Sequence, residues 1–230
     1  MTDLLLIHGW GFDSRVWSPL ADRLADHCRV RLLSLPGYGE AFDPASLPSG
    51  TVLCGWSQGA LVAMQLAHAH PDRIARLILV GATPRFVASS DWPHAQASSL
   101  LEAFTAGVHS RTAATLKRFA GLVSHGDADA RTAMRHLQAL IDAHCPATDT
   151  LLAGLADLGR TDLRGLVGTL RQPTLLLHGE YDALMPLSAA HWLADRLPAA
   201  RLFALPGRGH APFLTATDTC AERMLDFVNG

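Results

Sequence analysis

The sequence predicts one α/β domain: a mostly parallel sheet flanked by helices, with an all-helical segment inserted into it. Three observations carry this expectation. Short continuous apolar runs such as Leu4-Leu5-Leu6-Ile7 read as strands buried on both faces, as parallel strands are. Stretches of helical period alternate with these runs, the order that builds β-α-β units. Between about His94 and Thr169 the strand-like runs vanish and only helical patterns remain.

Composition narrows the class. A chain of 230 residues suits one domain with a full core, and 49% hydrophobic against 17% charged residues describes a folding chain. A net charge of -2 and a pI near 6.6 imply no general affinity for nucleic acid. No apolar run approaches the roughly 18 residues of a membrane span. Met1 leads into a strand-like run with no basic stretch or cleavage site, so no secretory signal and a cytoplasmic location are expected. Cys28, Cys54, Cys145 and Cys220 are scattered and form no C-x-x-C, which favours free thiols. There is no H-E-x-x-H, and His68 and His70 read as a helix cap and a surface residue. No metal or cofactor is expected.

Each element follows in order. Residues 4–7 form a strand that ends in His8-Gly9-Trp10-Gly11, a loop able to point backbone N–H groups inward. Asp13 or Ser14 can cap a helix through about Ala25, where Val16, Trp17, Leu20 and Leu24 recur at helical spacing. Residues 29–34 alternate as a strand and stop at the turn cluster Leu35-Pro36-Gly37-Tyr38-Gly39. Residues 40–50 contain Pro44 and Pro48, so a loop or a single helical turn is expected before the next strand at 51–54. Residues 61–69 read as a helix stopped by Pro71, and 76–80 as a buried strand. Four helices are expected over about 98–108, 111–123, 128–144 and 148–158, with breaks at Gly126-Asp127 and Cys145-Pro146. The core then comprises 1–93 and 170–230, and 94–169 forms a lid over the C-terminal edge of the sheet. A strand at 174–177, a helix at 188–197, a strand at 201–205 and a helix at about 218–228 complete the chain.

The stretch Gly55-Trp56-Ser57-Gln58-Gly59 carries the chemistry. A G-x-S-x-G string between a strand and a helix forces the serine into strained angles and holds its hydroxyl out at the sheet edge. The helix N-terminus beneath it offers free N–H groups to an oxyanion. The expected donors are the backbone amides of Gln58 and Trp10. Asp182 and His210 also lie in loops just after strands, and post-strand residues share one edge of an open α/β sheet. The order Ser57, Asp182, His210 therefore predicts a nucleophile, an orienting acid and a base. Asp157 and Asp162 are rival acids, but both lie in or beside the helical insertion. His8 suits a loop-bracing hydrogen bond better than proton transfer. Arg111, Lys117, Arg118, Arg131 and Arg135 have two readings: a solvated face paired with Asp127, Asp129 and Asp142, or a docking patch for an acidic partner.

With these residues on view, the chain resembles the α/β-hydrolase superfamily. Within it, the chain is similar to the BioH carboxylesterases of biotin synthesis, which hydrolyse the methyl ester of pimeloyl-acyl carrier protein. The likeness spans most of the chain: His8-Gly9-Trp10-Gly11, Leu35-Pro36-Gly37-Tyr38-Gly39, Gly55-Trp56-Ser57, His70-Pro71-Asp72-Arg73, Asp91-Trp92-Pro93, Arg118-Phe119, Asp162-Leu163-Arg164 and Gly209-His210-Ala211-Pro212-Phe213. The resemblance implies a four-helix lid inserted after the sixth family strand, and a substrate site of Trp10, Ser57, Gln58, His210 and an acyl channel along Phe119, Ala120, Gly121, Leu122 and Val123. It implies that Arg118, Arg131 and Arg135 receive the acyl carrier protein, with Arg111 and Lys117 as stand-ins where Ala114 replaces a family arginine. The chain departs from the family in three ways. No N-terminal antiparallel hairpin is expected before the first strand, the stretch before the Ser57 strand is expected to be too short for the usual helix, and Gln58 and Ala60 replace the commoner Leu and Gly.

These readings lead to a monomeric serine esterase acting on the carrier-bound pimeloyl methyl ester and on small acyl esters. The alternatives are a general esterase or C–C hydrolase of the same fold, and a non-catalytic binding protein on this scaffold.

Overall fold

The computed structural model describes residues 1–40 and 42–230. The strands are β1 (Thr2–Ile7), β2 (Cys28–Leu33), β3 (Thr51–Trp56), β4 (Ile74–Val80), β5 (Thr174–Gly179) and β6 (Ala200–Leu205). The helices are α1 (Ser18–Leu24), α2 (Gln58–Ala69), α3 (Ser98–Ser124), α4 (Ala130–Ala143), α5 (Thr148–Arg160), α6 (Arg164–Val167), α7 (Leu187–Arg196), α8 (Pro212–Thr215) and α9 (Thr217–Asn229). The strands form one sheet in the order β2-β1-β3-β4-β5-β6, and each pairing is parallel. Among the described residues, no helix is long and apolar enough to cross a membrane.

Apolar runs decide which strands are central. β3 and β5 are buried at every position, and β1 is buried from Leu4 to Ile7. Burying a Leu or Ile side chain contributes roughly 1.5–3 kcal/mol, so such runs belong where both faces are covered. The edges read differently. β2 exposes Arg29, Arg31 and Leu32, and β6 exposes Arg201. Edge charge discourages further strand pairing.

The topology places the site. From β1 the chain moves outward to β2; from β3 and β5 it moves the other way. Right-handed crossovers then put α1 on one face and α2 and α7 on the opposite face. α9 packs beside α1. The reversal between β1 and β3 is a switch point, where a crevice opens at the strand C-termini.

Several boundaries differ from expectation. The first helix opens as a 3-10 turn over Ser14–Trp17, capped by Asp13, and α1 begins only at Ser18. Pro19 fits the first turn of an α-helix and so resets its start. β3 runs on to Trp56 and α2 starts at Gln58, because the turn between them consists of Ser57 alone. The stretch before β3 holds a 3-10 turn, Pro44–Ser46; Ala41 within it lies outside the described residues. The helices expected over 98–108 and 111–123 form one element, α3, bent at Arg111, whose angles (φ -153°, ψ 68°) leave the helical region.

Two motifs that carried the resemblance are structural. Arg164 donates to Asp91 at 2.9 Å and to Asp162 at 2.7 Å, and its guanidinium lies 5.7 Å from the Trp92 ring centre. Arg85 pairs with Asp162 at 3.1 Å. Together they staple the chain where it leaves the sheet for the helical segment to the chain where it returns.

Candidate active site

Ser57 stands between β3 and α2 with φ 57° and ψ -120°. It is the one non-glycine residue of positive φ among the described residues. Such a conformation costs about 1–3 kcal/mol and persists only where its surroundings enforce it. Here they do. A Cβ on Gly55 would strike the Gly59 carbonyl, and one on Gly59 would lie 2.5 Å from the carbonyl oxygens of Ile7 and His8. The flanking glycines therefore let α2 press against β1 and β3, with Ser57 squeezed outward at the sheet edge.

Gln58 is the first residue of α2, so its N–H has no carbonyl one turn back. Neither this N–H nor that of Trp10 bonds to a described residue. Both donors flank the switch point, one after β3 and one after β1. His8 braces the second. Its Nε2 accepts the Leu35 N–H at 3.0 Å, which leaves the ring hydrogen on Nδ1, 2.9 Å from the Gly9 carbonyl. Burial lowers its pKa to about 4, so His8 stays neutral.

The loops after β5 and β6 meet over β4. His210 Nδ1 donates to Asp182 Oδ2 at 2.7 Å, and both side chains are fully buried. Asp182 Oδ1 accepts the N–H groups of Leu184 and Met185 at 2.9 and 2.8 Å. Burial opposes charge on Asp182, but His210, His178 and the Met185 N–H outweigh it and hold the carboxyl below its usual range. The Trp56 indole donates to the His210 carbonyl at 2.9 Å, and Gly81, at the end of β4, lies against the imidazole. With Nδ1 committed to Asp182, Nε2 is the free nitrogen. It is buried and has no hydrogen-bond partner among the described residues.

The helical segment closes the site from above. The Trp10 indole donates to Leu151 O at 2.8 Å, and the Gln58 side-chain amide donates to Gly154 O at 3.1 Å. Both side chains thus hold α5 down. Phe119 packs edge-on against Trp10, with ring centres 4.8 Å apart, and Phe104 does so at 5.8 Å. Ser57 is 5% exposed and His210 is fully buried.

The remaining candidates separate. Of the expected acyl-channel residues, Phe119, Ala120 and Val123 are buried and Leu122 is half-buried. Gly121 is half-buried and borders a groove of about 760 Å³ shared with Arg131 and Arg135. Consecutive helical residues are turned about 100° from one another, so the five spread around the helix. Asp157 pairs with Arg160, and Asp162 with Arg85 and Arg164, which leaves neither beside His210. Arg111, Lys117, Arg118, Arg131 and Arg135 are all exposed. Asp142 pairs with Lys117, but Asp127 and Asp129 pair with Arg208 instead. Among the described residues, Arg111, Arg118, Arg131 and Arg135 have no carboxylate partner within salt-bridge distance.

Comparison with known proteins puts this geometry in context. A family model described as the alpha/beta hydrolase family matches residues 4–223. The chain belongs to that family. This hydrolase is 44% identical to the pimeloyl-[acyl-carrier protein] methyl ester esterase of Aromatoleum aromaticum, with 99% of this chain and 98% of the relative covered. It is 38% identical to the protein of that name from Xanthomonas campestris, covering 98% and 94%. Among solved structures, an esterase from Exiguobacterium antarcticum superposes with a TM-score of 0.87 at 19% identity, covering all of this chain and 92% of the other. An enol-lactonase from Burkholderia xenovorans gives 0.84 at 19%, with the same coverage. The last two speak for the fold alone.

Two features of the hydrolase's site escaped the sequence reading. His178 lies 3.5 Å from Asp182 and bonds Met185 O at 2.7 Å, bracing the acid loop. Its position four residues before Asp182, at the end of a buried strand, was a readable signal. Gly154 is the other: a Cβ there would lie 2.6 Å from Trp10 Cδ1, a close approach that only the packing reveals.

Proposed function

We propose that this hydrolase is a serine carboxylesterase that cleaves the methyl ester of a pimeloyl chain borne by acyl carrier protein. The observation that carries this reading is the 44% identity, over nearly the whole of both chains, to a relative named for that reaction. The site supplies the chemistry. Ser57 Oγ attacks the ester carbonyl while His210 Nε2 takes its proton, and Asp182 orients the imidazole and stabilises its cation. The amides of Trp10 and Gln58 receive the oxyanion. His210 returns the proton to the departing methanol and leaves an acyl-Ser57. Water, deprotonated by His210, then releases the free carboxylate and restores the serine. Phe119, Ala120, Leu122 and Val123 line the path of the acyl chain. Arg118, Arg131 and Arg135 meet the acidic carrier, supported by their lack of acidic partners among the described residues. Buried, unpaired thiols at Cys28, Cys54 and Cys220 suit a reducing cytoplasm.

The test is hydrolysis of methyl pimeloyl-acyl carrier protein beside a short p-nitrophenyl ester, with Ser57→Ala as control. Turnover of the carrier substrate, reduced on the order of 10⁴-fold or more in the variant, is the expected result. Turnover of the small ester alone would retain the serine chemistry and discard the carrier substrate.

A further inference from the structure

The mechanism above leaves one buried carboxylate unused. Asp127 lies in the connection between α3 and α4, and its side chain is 2% exposed. Four donors converge on it. Oδ2 accepts the Gly209 N–H at 3.0 Å and the Thr215 hydroxyl at 2.7 Å. Oδ1 accepts the Asp129 N–H at 2.8 Å and the Arg208 guanidinium at 3.3 Å. Gly209 and Arg208 immediately precede His210, and Thr215 ends the short helix that follows it.

The backbone repeats the pattern. The His210 N–H donates to Val123 O at 3.2 Å, and the Ala128 N–H donates to Gly207 O at 2.8 Å. Gly126, at φ +78°, packs directly on Tyr181, the neighbour of Asp182. Residues 123–128 therefore grip both the loop of the base and the loop of the acid. His210 and Asp182 are held to each other by one hydrogen bond; the loop bearing His210 is held in place by this clasp. Removal of the carboxylate would leave the Gly209 N–H buried and unpaired, which favours a loop that moves away to find water.

We propose that Asp127 is a positioning residue for His210: it holds the loop that presents Nε2 without touching substrate itself. This rests on the serine-esterase reading. It goes beyond it by giving the helical segment a second task. α4 begins at the Asp127 clasp and carries Arg131 and Arg135 on its exposed face, so the docking helix and the catalytic base share one anchor.

The experiment compares Asp127→Ala and Asp127→Asn on a short p-nitrophenyl ester, which never meets the docking face, with circular dichroism and melting curves to verify folding. Asp127→Ala is expected to lower kcat by between about 10-fold and about 100-fold with KM little changed, the scale of a catalytic group misplaced by about 1 Å. Asparagine can keep one oxygen toward Gly209 and Thr215 but presents an amide where Oδ1 stood. Its kcat should fall between the alanine variant and the wild type. A folded Asp127→Ala enzyme that melts earlier yet keeps its kcat would overturn the proposal, as would a loss carried by KM. If Asp127→Ala does not fold, Asp127→Asn decides alone: a lower kcat at unchanged KM supports the positioning role, and an unchanged kcat overturns it. Ser57→Ala run in parallel separates the two readings. An active Ser57→Ala enzyme sinks both; an inactive one beside a fully active Asp127→Ala sinks only the clasp.

Discussion

His8 illustrates how a residue beside the chemistry acts by staying uncharged. Its Nε2 must remain a bare acceptor for the Leu35 N–H, and protonation there would set two donors against each other. The unfolded chain binds this proton near pH 6.5, the folded chain only near pH 4. Between those values the unfolded state holds more protons, so stability rises with pH across the window. The contribution is complete above about pH 6.5 and is lost as pH falls toward 4; its size is on the order of 3 kcal/mol. His178, also buried and lowered, adds to the slope in the same direction. His8→Gln should melt at a temperature less sensitive to pH between 7 and 5 than the wild type does. Equal slopes would show that His8 is not the group responsible. At this scale the sequence was informative where a motif sets geometry. Ser57, Asp182 and His210 were legible because each follows a strand run. Asp127 was visible only as a helix break and as a carboxylate near the arginines, because three of its four donors come from residues about eighty positions away.

At the scale of elements, α5 is the piece whose role depends on close approach. Gly154 allows its backbone to reach Gln58 and Trp10; a Cβ there would lie 2.6 Å from Trp10 Cδ1. Helix propensity alone would make Gly154→Ala stabilising by about 1 kcal/mol. Overpacking against a buried indole works the other way and costs about 1–3 kcal/mol, so it wins. The expected result is a lower urea midpoint together with slower ester hydrolysis, since Trp10 carries an oxyanion amide in the proposed mechanism. A more stable variant of normal activity would mean that α5 shifts freely. The sequence marked α5 as a helix over about 148–158, after the break at Cys145-Pro146. It did not mark which carbonyls would accept from Trp10 and Gln58, because every helix offers the same carbonyls and only packing selects among them.

For the molecule as a whole, the charge pattern is the testable feature. Net charge is nearly balanced, yet Arg118, Arg131 and Arg135 stand exposed with no acidic partner among the described residues, while Asp127 and Asp129 serve Arg208. Arg131→Glu with Arg135→Glu should raise KM for the carrier-bound ester by about tenfold or more and leave the short ester unaffected. In the wild type, the KM for the carrier substrate should rise with salt, as screening of exposed charges demands. Equal effects on both substrates would remove the docking role from this face.

The sequence by itself determined the parallel α/β class, the order of the six strands, and the turn that presents Ser57 at the sheet edge. These follow from local causes: unbroken apolar runs, helical periodicity, and glycines at positions where a Cβ would collide with the backbone. The tertiary structure alone decided where the order of strands reverses across the all-parallel sheet, which puts Trp10 and Ser57 at one crevice. It also decided which face of α3 turns inward and which acids neutralise which arginines. Those outcomes depend on pairings between distant segments, and a distant pairing is settled by packing and hydrogen-bond satisfaction, neither of which leaves a periodic trace along the chain.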